Sequence, residues 1–139
     1  MKLPICTINV QGLSHKGHFK AFLRTCKRWS DTNIAHIFLV QEHNIGPGGI
    51  RMPNGTYWST IEIEREALRK GFHLIIAHPA QAQDGSHRGG TMTLVRNKEA
   101  IISSYTIHEP SALEVVVERH GEIYIESLIF THQRDRFRE

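Results

Sequence analysis

The chain has 139 residues, 40% of them hydrophobic and 22% charged, with a formal net charge of +3. That length suits one domain with a real core, and that composition excludes a disordered or fibrous chain. No apolar run approaches the roughly 18 residues of a membrane span, and the opening MKLPICTINV turns polar too soon for a signal peptide, so a soluble intracellular protein without membrane contact is expected, nuclear or cytoplasmic left open.

The first element is a short strand over 5–10, ICTINV, dense in β-branched residues and ended by a break at Gly12. A helix follows over about 17–29, where Phe19, Phe22, Leu23, Cys26 and Trp29 recur at helical spacing. Its other face carries Lys16, Lys20, Arg24, Lys27 and Arg28, the usual solvated surface of a soluble helix. Residues 31–40, DTNIAHIFLV, then read as a turn feeding a buried strand, because consecutive apolar residues imply two covered faces. Strand, helix and strand make a βαβ unit with a parallel pair. Cys6 and Cys26 fall in the strand and on the inward helix face, where small buried thiols are common, and no disulfide is expected.

Residues 44–58, NIGPGGIRMPNGTYW, are rich in Gly and Pro and read as an irregular loop. Ser59 and Glu62 fit a capping box that opens a second helix over 61–70, stopped by Gly71. Strands are expected over 72–79, 91–97 and 100–107. In 112–130 the ERHGE stretch separates two runs of β-formers as a hairpin. The last residues, 133–139, begin a helical or loop segment in which the chain ends as though mid-element.

In open α/β sheets, functional residues gather beyond the carboxyl ends of the strands. Asn9 and Glu42 stand at two such ends, the second within IFLVQEHN (37–44), where four apolar residues turn abruptly polar. If the strands are neighbours, an amide oxygen and a carboxylate would converge on one hard cation that keeps several waters. From spacing alone, an ordinary polar strand end is the commoner reading. The ten histidines show no zinc spacing, and no nucleophile motif accompanies any serine or cysteine. Arg88, Gly89 and Gly90 precede a strand; the glycines would let a backbone approach a phosphate, or would simply free a loop.

Taken in order, TINVQGL (7–13), IFLVQEHN (37–44), RGGTMTLVRN (88–97) and ALEVVVERHGEIYIESLIF (112–130) resemble the endonuclease/exonuclease/phosphatase superfamily, closest to the endonuclease domains of non-LTR retrotransposons and the exonuclease III-like nucleases. The resemblance covers essentially the whole chain. It implies a sandwich of two β-sheets with helices outside, and a Mg²⁺ site, with Mn²⁺ as a substitute, in which Glu42 and Asn9 are the catalytic and metal-binding residues. DNA or another nucleic acid is the implied partner.

The departures are as informative. Gln11 stands where the family often has an Asp, and Ile129, Phe130 and Thr131 stand where it has a Tyr. The family's second half, with its Asp-x-Asn and Asp-His pairs, has no counterpart in 1–139. The expectation is therefore a truncated α/β domain over 1–139, one β-sheet with outer helices that corresponds to half of the sandwich. It would be the N-terminal portion of a Mg²⁺-dependent phosphodiester hydrolase, inactive or weak alone. The alternatives are a non-catalytic nucleic-acid or protein-binding module using the basic helix and the 133–138 segment, and a non-functional retrotransposon remnant. Because two helices can cover only one face of the sheet, self-association through the other face is also expected.

Overall fold

A computed structural model describes the backbone of residues 3–129 and the side chains of residues 3–123. The basic 133–139 segment and positions 130 and 131, compared above with the family's tyrosine, lie outside the described residues.

The βαβ unit forms as expected. Strand β1 (Ile5–Asn9) and strand β2 (Ile37–Gln41) pair in parallel, with Ile5 opposite Ile37 and Asn9 opposite Gln41. Helix α1 (Lys16–Asp31) crosses between them and buries Phe19, Leu23, Cys26 and Ser30, a stripe at three- and four-residue steps. Its exposed side carries Arg24, Lys27 and Arg28, and Lys27 reaches Asp31 one turn on at 2.9 Å.

The Gly- and Pro-rich stretch is more ordered than its composition suggests. It contains a small antiparallel hairpin, β3 (Ile50–Arg51) and β4 (Tyr57–Trp58), turned through Asn54 and Gly55. The Asn54 side-chain oxygen accepts from the Thr56 amide at 3.1 Å, and Gly55 takes the left-handed backbone that the turn requires. Helix α2 (Thr60–Arg69) starts where the capping residue places it, with Ser59 Oγ accepting from the Glu62 amide at 3.3 Å. It stops at Gly71, whose φ of +91° suits a residue without a Cβ.

Strands β5 (Phe72–Ala77) and β6 (Thr91–Arg96) complete a four-stranded sheet of order β1-β2-β6-β5, mixed because β6 runs antiparallel to both neighbours. Both helices cover one face. There Phe38, Val40, Leu74, Ile76, Met92 and Leu94 pack against Phe19, Leu23, Ile63 and Ala67.

The other face is not bare. Strands β7 (Ile101–Glu109), β8 (Ala112–Arg119) and β9 (Glu122–Ile129) form a second, antiparallel sheet. Leu113, Val115 and Val117 of β8 pack on Ile37, Leu39 and Val95 in a second core cluster. The chain is thus a partial α/β sandwich in which this second sheet packs on the first. The expectation of self-association through an uncovered sheet face loses its basis, because the alternating inward residues of β8 already remove that face from water. The β8–β9 turn has His120 and Gly121 both in the left-handed region, the geometry of a two-residue hairpin.

The sheet end opposite Asn9 and Glu42 is held by charge. Arg96, 5% exposed, donates to Asp31 Oδ1 at 2.7 Å and stacks over the Phe72 ring. Among the described residues no helix is long and apolar enough to cross a membrane.

Leu113 is 1% exposed between the two sheets. Leu113→Ala should therefore cost about 2–5 kcal/mol, read as a lower midpoint in urea denaturation with an unchanged slope. An unchanged midpoint would mean that the second sheet does not cover the first.

Candidate active site

Beyond the carboxyl ends of β1 and β2 the parallel pairing continues into the loops. The Gly12 amide donates to the Glu42 carbonyl at 2.7 Å, and the Leu13 amide to the His43 carbonyl at 2.8 Å. On the other side the Glu42 amide donates to the Gly90 carbonyl at 2.8 Å and the Asn44 amide to the Gly89 carbonyl at 2.9 Å. The Asn44 side-chain oxygen accepts from the Gly89 amide at 2.7 Å, closing a ring of bonds between the two loops.

Gln11, Glu42 and Asn44 all have φ between +51° and +60°. Such a backbone is costly for residues with side chains and concentrates where a site holds the chain in a particular shape. The Glu42 side chain lines a cleft, while His43 next to it is buried. The cleft measures about 890 Å³ and is lined by Asn9, Gln11, Glu42, Asn44, Arg51, Tyr57, His87, Arg88 and neighbouring loop residues. Glu42 is the only acidic side chain among the described residues that line it.

The structure brings the two candidate residues into contact. The Asn9 amide group donates to Glu42 Oε2, and Asn9 Oδ1 accepts from the Gln11 amide at 3.0 Å. Turning the Asn9 amide over would set oxygen against oxygen and N–H against N–H, so the network fixes its orientation. Asn9 is thereby placed to aim and hold the carboxylate, while Gln11, which stands where the family often has an Asp, offers its backbone. One carboxylate oxygen atom pair in a polar cleft suits a hard cation that retains most of its water. No group of three or more His, Cys, Asp or Glu able to hold a metal occurs among the described residues.

Sequence reasoning missed His43. It is fully buried; its Nδ1 accepts from the Ile45 amide at 2.8 Å, so Nε2 carries the proton and donates to the Ala77 carbonyl at 2.9 Å. Burial pushes its pKa down to about 4. Gly90, ahead of β6, is explained by this ring: a Cβ there would stand 2.5 Å from His43 Nε2. Gly90 and the backbone of Gly89 thus dock the two loops together. The half-buried His87 ring lies where a side chain on Gly46 would be. The only sequence sign of either histidine was a glycine in the neighbouring loop.

Among solved structures the chain is similar to a humanized D. rerio TDP2 with 14 mutations, at 16% identity and a TM-score of 0.53; the match covers 98% of this chain and 54% of that one. The chain shares the fold of that structure, as a partial α/β sandwich. It spans about half the length of that TDP2 structure. ANGEL2, a 2′,3′-cyclic phosphatase, is also similar, at 12% identity and a TM-score of 0.47, over 76% of this chain and 28% of that one. No protein-family model matches the chain, and no curated protein matches it by sequence. Asn9 and Glu42 stand at the carboxyl ends of neighbouring parallel strands, where open α/β sheets gather functional residues.

His43 makes stability depend on pH with a defined sign. Its folded pKa lies below the ordinary 6.5, so the unfolded chain takes up the proton first as pH falls. Its contribution is complete above about pH 6.5 and is lost between there and about pH 4, by up to about tenfold in the folded-to-unfolded ratio per pH unit. His36, also lowered by burial, adds in the same direction. Asp31 and Glu66, held low by hydrogen bonds from Lys27 and Arg69, lose their contributions only as pH falls further. Melting temperature followed from pH 7 to 4.5 should fall, and His43→Gln should flatten most of that slope whatever its effect at pH 7. An unchanged slope in the variant would remove His43 from this role.

Proposed function

We propose that this chain supplies the Asn–Glu part of a Mg²⁺-dependent phosphodiester hydrolase acting on nucleic acid. The observation that carries the reading is the Asn9–Glu42 contact, formed at the ends of two parallel strands and aimed into a cleft by a left-handed backbone. The kinship with endonuclease domains of non-LTR retrotransposons is part of the reading and rests on the four motifs and their order in the sequence.

In this reading Glu42 is the protein's anchor for Mg²⁺, and Asn9 positions the carboxylate instead of binding the ion itself. A bound Mg²⁺ supplies neutralisation of charge on the scissile phosphate and stabilisation of the leaving oxygen. Arg51 and Arg88, both exposed at the cleft, add positive charge where a phosphate chain would run. His87 lines the same cleft. Turnover by residues 1–139 is expected to be low, because one carboxylate and one amide make up only part of the set that positions water, metal and phosphate, and such groups do not act independently.

The test is Mg²⁺-dependent nicking of supercoiled plasmid. The expected result is weak nicking abolished by EDTA and by Glu42→Gln, and reduced about 10–100-fold by Asn9→Ala, as for other groups that orient a metal-binding side chain. Nicking that survives Glu42→Gln would mean another site or a contaminant. Absence of nicking, with salt-sensitive binding that ignores both Mg²⁺ and Glu42, would favour the non-catalytic binding module.

A further inference from the structure

The β3–β4 hairpin presents two unlike faces. On one, the cross-strand partners Ile50 and Trp58 are 1% and 6% exposed. Trp58 meets Phe19 of α1 edge to face at 5.7 Å, and Lys16 Nζ lies 4.9 Å from the indole centre. Gly49 lets the chain enter this packing: a Cβ there would stand 2.1 Å from the Trp58 carbonyl oxygen. The hairpin is thus fastened to the core by the pair Ile50 and Trp58, with Met52 packed partly against the same core.

The other pair, Arg51 and Tyr57, is offset by one residue and therefore faces the opposite way. Both line the cleft that holds Glu42. Tyr57 is 55% exposed. A Cβ on Gly48 would lie 3.5 Å from one edge of its ring, so the Gly48 loop passes beside the aromatic side chain. Folding gains little from this side chain, since Ile50 and Trp58 supply the hairpin's anchorage. What the arrangement creates is a flat aromatic surface, held by a fixed hairpin at the rim of a polar cleft, with a guanidinium beside it.

The geometry points to Tyr57 as a platform on which an unpaired nucleobase of the substrate stacks, with Arg51 beside it taking the adjacent phosphate. Every base has a π-face, and such stacking is worth about 1–3 kcal/mol per base. Arg51 adds a planar cation suited to phosphate. The inference rests on the phosphodiester reading of the Glu42 cleft and narrows it: the nucleic acid enters single-stranded or with a base turned out, because bases stacked in a duplex have no face to offer.

Binding of a short labelled single-stranded oligonucleotide, followed by fluorescence anisotropy in EDTA, tests this without metal or hydrolysis. Tyr57→Ala should weaken binding about 10-fold or more, the fold-change that corresponds to the stacking term. Tyr57→Phe and Tyr57→Trp should keep it, and a blunt duplex of the same sequence should bind more weakly and be indifferent to Tyr57→Ala. An unchanged melting temperature in Tyr57→Ala would show the fold intact. The inference is overturned if the wild-type chain does not bind the single strand, if Tyr57→Ala binds as wild type, if the duplex is affected equally, or if an aromatic peptide competes as well as the oligonucleotide. The two readings fail separately: Tyr57-dependent binding without nicking would leave the platform standing and remove the hydrolase, whereas nicking without a Tyr57 effect would do the reverse.

Discussion

A neutral imidazole sealed in the core decides the shape of the cleft. His43 satisfies both ring nitrogens on backbone groups, one from its own loop and one from the end of β5. With that ring fixed inward, the residues on either side are forced outward, and the left-handed backbone at Glu42 and Asn44 is the means. Gly90 closes over the ring because nothing larger would fit, and the backbone bonds of Gly89 and Gly90 tie the Glu42 loop to the start of β6. The carboxylate's direction is therefore a consequence of packing, and Asn9 refines it from the neighbouring strand.

The sandwich around it divides its labour by face. β2 and β6, the two central strands, send alternate residues to a helix-covered core and to a sheet-covered core. β1 stands at the sheet edge, and its Ile5, Thr7 and Asn9 face outward on the side where β2 and β6 meet β8. The catalytic candidates thus sit where a fully packed strand meets an edge strand, which gives Glu42 a rigid base and leaves Asn9 room to reach it.

Much of this was legible in the sequence, for identifiable reasons. The parallel βαβ unit follows from the run of apolar residues in 37–40 and the spacing of Phe19, Leu23 and Cys26. The Ser59 cap, the Gly71 stop and the turn at His120 and Gly121 are local rules that the chain obeys. The contact of Asn9 with Glu42 followed from placing both at strand ends, although the donor direction of the amide did not. Two features were hidden. The covering of the second sheet face depended on how β7–β9 fold back, a long-range choice that alternation in β8 permits but does not dictate. The β3–β4 hairpin was masked by its glycines and prolines, although Asn54-Gly55 between Ile50-Arg51 and Tyr57-Trp58 is a recognisable turn signal.

That hairpin also has a bearing on how such a cleft can diversify. Its anchoring residues, Ile50 and Trp58, lie at the base, while the turn residues 53–56 are exposed. Lengthening or reshaping the turn leaves both the buried base and the Glu42 loop untouched, since the bonds holding that loop come from β1 and from the Gly89–Gly90 segment. One wall of the cleft is in effect an interchangeable module, and the reach of the protein toward larger or smaller substrates can change there without moving the carboxylate at its floor.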